Sequence, residues 1–435
     1  MTTPWSDDTW YPGSTRDLPA ALCQRRANVN LLRTELLARV IHATRPGCEA
    51  TGRFLEAVQD WHRGGPGALA AIMMSPWYAQ WSENANALRH DLECSASILP
   101  ESYGMPRGQD PVVSLLNDHG RFAATMAILT RRPATGVALA WDGQLPLRHW
   151  GAVVSATDLP LTTWTVMYQG DDLVLQVPGA AHNVVWLARG GVEQVGHHPG
   201  IQLTARLSWQ GHAVLLEGGQ DQPAFPATHP VSPRSLHRPS VVARVPEGFQ
   251  EALTAAIALL GACWPEAVDD LMTVTHVIVP GMAPIDRNHQ VAGVLPCHAA
   301  PSTSQAEDLI TGIVAQILSS LWEHEEFLGD YQDRELNPPC NAVNGNPSVS
   351  REVAQAIALE RRAHFLIRHS TVASDAHVHR LRALSLARMA RASCHRLLET
   401  APLGPIATTI AEGVRERASR IEGWVGKQHQ GAGSC

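Results

Sequence analysis

The sequence lacks paired cysteine chemistry. Its eight cysteines, at positions 23, 48, 94, 263, 297, 340, 394 and 435, include no C-x-x-C pair. That argues against a zinc ribbon and a thioredoxin-like motif, and leaves reduced, mostly buried thiols as the expectation. The stretch "HDLEC", His90 to Cys94, lacks the C-x-x-C-H pattern of haem attachment. No run of lysines or arginines stands out, and the formal charge of −7 disfavours an electrostatic grip on a phosphate backbone. Nucleic acid is therefore not an expected partner. The opening "MTTPWSDDTWYPGSTRD" has acids and tryptophans where a signal peptide needs a basic and then an apolar segment. The longest apolar stretch, Leu309 to Trp322, is too short to span a bilayer and lies between Asp308 and Glu323. A cytoplasmic protein without a membrane anchor is the expectation. No repeat of solenoid period is visible.

What is present is an ordinary globular composition. With 435 residues, 45% hydrophobic and 17% charged, the chain can bury two or three cores. From about Leu18 to Leu129 apolar residues recur at helical spacing, as in "LLRTELLARVIHA", with Gly and Pro clusters between. Beyond "RRPATG" the segments turn short, β-branched or aromatic, with period-two alternation; Ile201, Leu203, Ala205, Leu207 and Trp209 share one face of such a segment. The stretch 220–240 holds five prolines and reads as a linker or long loop. Helical pattern then returns. The expectation is an α+β fold, helical at both ends around a β-rich middle. Its regions are 1–132 (helical), 133–245 (β-rich), 246–426 (mainly helical) and a flexible tail, 427–435.

Chemistry concentrates in one helix. "STSQAED" supplies a capping box with Ser304 as N-cap and Glu307 reaching back, so the helix should begin near Gln305. Ile310, Ile313, Ile317, Leu321, His324 and Leu328 then follow at intervals of three and four, which puts His324 on the core-facing stripe. A metal-binding H-E-x-x-H helix needs two histidines four apart, and here Ser320 and Leu328 occupy those places. A histidine on an apolar stripe is more often a neutral, hydrogen-bonded core residue than a ligand, and the run "EHEE" is most often a solvated helix end. A zinc peptidase needs the histidine pair and the general-base glutamate together, and neither register supplies them.

The order of features resembles the H-E-x-x-H-domain proteins of bacterial peptide-modification gene clusters, a family of iron- and 2-oxoglutarate-dependent peptide β-hydroxylases. "SPWYAQW", with Pro76 and Trp81, is similar to a short motif of that family's N-terminal helical region. "HVIVPG", 276–281, is similar to its Val-Pro stretch, and "LLETAPLGPIATTIAEGVRERA", 397–418, to its helical tail. Aligning "LSSLWEH" with the family's "LVHEFQH" puts His324 on the second histidine, Ser320 on the first and Leu321 on the glutamate. Two of the three signature positions have therefore changed.

The resemblance implies an oxidoreductase of natural-product biosynthesis using Fe(II) and 2-oxoglutarate. It implies His324 and His364 as metal ligands, with Arg361 and Arg368 holding the ligand and the carboxylates of 2-oxoglutarate. Asp286, His289 or the His377 cluster would supply a third ligand, and no catalytic residue is assigned. A basic helix face pairing with the "EHEE" acids is the bland alternative for these residues. His298 lies just before the helix and could line the same cavity, whereas His197 and His198 fall in a turn. Two functions remain open: a peptide hydroxylase acting on a peptide substrate, or a metal-free pseudoenzyme that binds a precursor peptide or partner enzyme.

Overall fold

The computed structural model describes residues 9–11, 14, 16–63, 66–94, 110–120, 122–123, 125–126, the strand segments between 134 and 216, 245, 247–280, 294–298, 300–322, 349–401 and 403–432. Of the residues described down to their side chains, 82% are helical. The expected α+β class is corrected by this: the chain is mostly helical rather than organised around a β-rich middle. Period-two alternation reports a locally extended backbone, but among the described residues the buried side chains sit mainly on long helices. Among the described residues, no helix is long and apolar enough to cross a membrane.

The chain folds as two compact units. One comprises residues 24–208 and 215–244. Its helices are most of α1 (Leu18–Thr44), α2 (Glu49–Arg63), α3 (Pro66–Met73), α4 (Pro76–Glu93) and α5 (Pro111–Asp118). Helix starts follow local chemistry: Ser75 caps α4 by accepting from the Tyr78 amide, and Asp110 caps α5 by accepting from the Val112 amide. Each is followed by a proline at the first helical position, where the missing N–H costs nothing.

The helices close on an aromatic core. The His119 ring lies 4.5 Å from Trp61, 4.8 Å from Trp81 and 4.9 Å from Phe54, between ring centres. Trp81 is buried and donates its Nε1–H to the Leu115 carbonyl at 3.0 Å. The Tyr78 hydroxyl bonds Thr34 at 2.7 Å, and burial raises its pKa. Pro76 and Trp81, singled out by the resemblance, thus start a helix and fill a core.

The backbone of the same unit carries antiparallel strands in the order β6-β5-β4-β1-β2-β3-β7. They are β1 (Ala134–Trp141), β2 (Gln144–Leu147), β3 (Ala152–Ser155), β4 (Leu161–Gln169), β5 (Asp172–Gln176), β6 (Val184–Leu187) and β7 (Ile201–Leu203). The longest ladder pairs β1 with β4, from Ala134 opposite Tyr168 to Trp141 opposite Leu161. The segment expected to run through 201–209 on one face is divided into β7, which pairs with β3, and β8 (Ala205–Trp209). A further strand, β9 (His212–Leu216), follows the Gln210-Gly211 stretch.

The other unit comprises residues 1–23, 209–214 and 245–435. Its elements are α6 (Phe249–Cys263), α7 (Pro265–Val274), β10 (Val277–Pro280), β11 (Val294–Cys297), α8 (Ser302–Trp322), α9 (Val349–His369), α10 (Ala376–Thr400) and α11 (Pro405–Ala432). β10 and β11 pair in parallel. Gly248 caps α6 with φ +74°, a left-handed conformation that glycine adopts without strain.

Helix α8 is the hub. It packs against α6, α7, α9 and β11, and from Gln305 to Leu318 all its residues but Asp308 are buried. A helix buried all round replaces the expected single apolar stripe. It begins at Ser302, and Glu307 turns inward instead of reaching back to Ser304: one oxygen accepts from Arg362 at 2.9 and 2.7 Å, and the other faces Arg382 at 2.9 Å. One buried carboxylate so ties α8 to α9 and α10. Gly312 lets β11 come close, since a Cβ there would lie 2.5 Å from the Leu295 side chain. The final helix extends to Ala432, so residues 427–432, expected in the tail, are helical.

Candidate functional site

The site grows from α9. Glu360, Arg361 and His364 are all buried, and Arg368 follows one turn later. A helix that buries consecutive charged residues must satisfy them locally. Arg361 donates Nε and Nη2 to the two Glu360 oxygens at 2.6 and 2.7 Å. Arg417, from the middle of α11, lies 4.0 Å from Glu360. Arg368 donates its Nε–H to His364 Nε2 at 2.8 Å and Nη1 to the Cys263 carbonyl at 3.5 Å.

This geometry fixes the histidine's state. A guanidinium can only donate, so His364 Nε2 must accept, and the neutral ring carries its proton on Nδ1. Burial, then the Arg361, Arg368 and Arg417 charges, hold the His364 pKa well below the usual histidine value.

Trp264 floors the cluster. Fully buried in the turn between α6 and α7, it lies 5.1 Å from the His364 ring. The Arg361 and Arg368 guanidiniums sit over it at 5.7 and 5.4 Å, within cation–π range. Its own Nε1 is buried and has no acceptor among the described residues.

Residues 9–11 close the other side. Trp10 is 2% exposed and stacks on Trp264 with centroids 5.2 Å apart and planes 25° off parallel. Its Nε1–H reaches Asp270 Oδ2 on α7 at 2.5 Å. The Thr9 carbonyl accepts from Arg361 at 2.8 Å and Arg417 at 3.3 Å, and its hydroxyl oxygen accepts from Arg417 at 2.6 Å. Burial pushes the Asp270 carboxyl up to about 6, against the opposing Trp10 hydrogen bond.

One helical turn on lies a second group. Cys263 Sγ is 3.8 Å from His369 Nδ1, the His369 and His379 rings are 4.3 Å apart, and His379 Nε2 is 3.0 Å from Asp375. His377 is exposed. Elsewhere, His298 Nδ1 bonds Asp308 at 2.8 Å. Among the described residues, no three His, Cys, Asp or Glu side chains are arranged to hold a metal ion.

Of the residues expected in the site, the structure brings together Arg361, His364 and Arg368. His324, Leu328, Asp286, His289, His197 and His198 lie outside the described residues, as does the 220–240 stretch; Ser320 is described in backbone only. Sequence reasoning missed Glu360, Trp264, Arg417, Thr9 and Trp10. Trp264-Pro265 at a helix junction and tryptophans in an acidic opening segment were the available signals.

The described donor set around His364 does not fit an iron ion. Among the described residues, the His364 imidazole has its Nε2 lone pair taken by Arg368, the Glu360 carboxylate is locked to Arg361, and the charges of Arg361, Arg368 and Arg417 act on His364. What the arrangement can do is grip neutral or anionic groups: a carbonyl, a hydroxyl, an aromatic face. No family model matches the chain, and no curated protein is significantly similar to it.

Proposed function

We propose that this chain is a binding scaffold for a peptide or a partner enzyme, acting in the cytoplasm. It resembles the peptide β-hydroxylases in the order of its features but has given up their metal chemistry. The observation that carries this reading is the hydrogen bond from Arg368 to His364 Nε2 at 2.8 Å. It takes the lone pair that the metal reading needs, beside a helix whose motif has serine and leucine in place of histidine and glutamate. Of Arg361 and Arg368, expected to hold 2-oxoglutarate, Arg361 instead bonds the Thr9 carbonyl, and Arg368 holds His364. The described cysteines Cys23, Cys48, Cys94, Cys263, Cys297 and Cys394 are free thiols, in keeping with a reducing compartment.

The test is the iron and zinc content of protein purified anaerobically and reconstituted with Fe(II), beside a His324→Ala variant. Well under ~0.1 equivalents of metal in both is the expected result. A near-stoichiometric ion that disappears in the variant would overturn the reading and restore the oxygenase.

A further inference from the structure

Residues 9–11 are held the way a protein holds a foreign peptide. Arg361 and Arg417 converge on one main-chain carbonyl, Arg417 also takes the adjoining hydroxyl, and the next side chain is an indole laid flat on Trp264. The indole N–H is read by a carboxylate, that of Asp270. Carbonyl, hydroxyl, aromatic face and N–H donor are the features by which an extended peptide is recognised. Among the described residues of this stretch the grip falls on Thr9 and Trp10, while Ser14 Oγ donates to the Tyr11 carbonyl at 2.7 Å.

We infer that the cleft formed by Trp264, Asp270, Arg361 and Arg417 is a peptide-recognition site for a short segment with a hydroxyl-bearing residue followed by tryptophan, occupied in cis by Thr9 and Trp10. The inference rests on the binding-scaffold reading and names its site. Two further observations point to a ligand that can leave. The Trp264 Nε1, buried with no acceptor among the described residues, offers a donor that a different occupant's carbonyl can use. Asp270 is partly buried and bonded to the Trp10 indole, so displacement frees a carboxylate to take up water and offsets part of the lost stacking. A peptide in trans therefore competes with the strap for the same contacts, with the strap's effective concentration as the handicap.

The test uses the full chain. A fluorescein-labelled peptide of the sequence of residues 7–14, DDTWYPGS, is titrated into wild-type protein and into the Thr9→Ala/Trp10→Ala double variant, with binding read as anisotropy. The variant, its cleft vacated, should bind at least ~10-fold more tightly than wild type, and the peptide with alanine for its tryptophan should not bind. Equal or undetectable binding to both proteins, with the variant's circular dichroism native, overturns the inference.

Hydrogen exchange of the wild-type chain decides independently if the variant fails to fold. Amides of residues 10, 11 and 14 exchanging through local opening, at least ~10-fold faster than those of α9, support a displaceable strap. Exchange of these amides only with global unfolding makes the strap a fixed part of the core and overturns the inference. Metal content separates the two claims: a metal-free protein with a locked strap leaves the scaffold reading standing and removes only this site.

Discussion

A proton added to His364 would meet Arg361, Arg368 and Arg417 in a buried place, with little water to spread the charge. The unfolded chain takes that proton near the ordinary histidine pKa and the folded chain only well below it. The unfolded state therefore binds more protons as pH falls through this window, and stability drops. Asp270 has the opposite sign. Its folded pKa of about 6 lies above the carboxylate value of 3.8, so between those values the folded state holds the extra proton, and stability is lost as pH rises. Asp270→Asn keeps an acceptor for the Trp10 indole and removes the buried charge. Urea midpoints at pH 7 should rise by the equivalent of ~1–3 kcal/mol, and the variant should lose the Asp270 contribution to the slope between pH 4 and 6. A variant less stable than wild type at pH 7 would mean that the carboxylate is needed in its charged form.

At the scale of elements, glycine separates close approach from mere presence. Gly312→Ala on α8 drives a methyl into the buried Leu295 of β11 and should cost ~1–3 kcal/mol by chemical denaturation. Gly423→Ala on α11 meets nothing within 4 Å, and should stabilise by ~0.5–1 kcal/mol through the unfolded state alone. If both substitutions destabilise alike, close packing at Gly312 is not the cause. Ser75→Ala strips the cap from α4 and should cost ~1 kcal/mol, lowering the melting temperature. Such boundaries were legible because they are local: Asp110-Pro111 and Ser75-Pro76 announce a helix in two letters. The start of α8 was not, because "STSQAED" imitates a capping box while Glu307 is drawn to Arg362 and Arg382, on helices 55 and 75 positions further along.

For the whole molecule, the helical spacing of the two ends could be read directly, whereas the balance of the fold could not. Alternation in 134–216 advertises strands, but nothing in a period reveals how many core side chains each kind of element will carry. The site was half legible. Arg361, His364 and Arg368 stand on one helix at spacings of three and four, so their neighbourhood is written in the sequence. Trp10 is 254 positions from Trp264, and Thr9 is 408 from Arg417; no local signal spans such distances. Acid unfolding should reflect the whole set of buried titrations. The net result is a shallow loss of stability from pH 7 to 6, where the His364 loss exceeds the smaller opposing gain from Asp270, measurable as a falling urea midpoint. A midpoint that rises across that interval would place His364 in a site that welcomes charge.

Two indoles lying 5.2 Å apart and nearly parallel do more than pack. Their strong ultraviolet transitions couple, and a coupled pair in a chiral setting gives a paired positive and negative band in circular dichroism that neither ring shows alone. Trp10 and Trp264 thus give the protein a built-in optical gauge of whether residues 9–11 are seated, readable without a label in a chain with thirteen tryptophans.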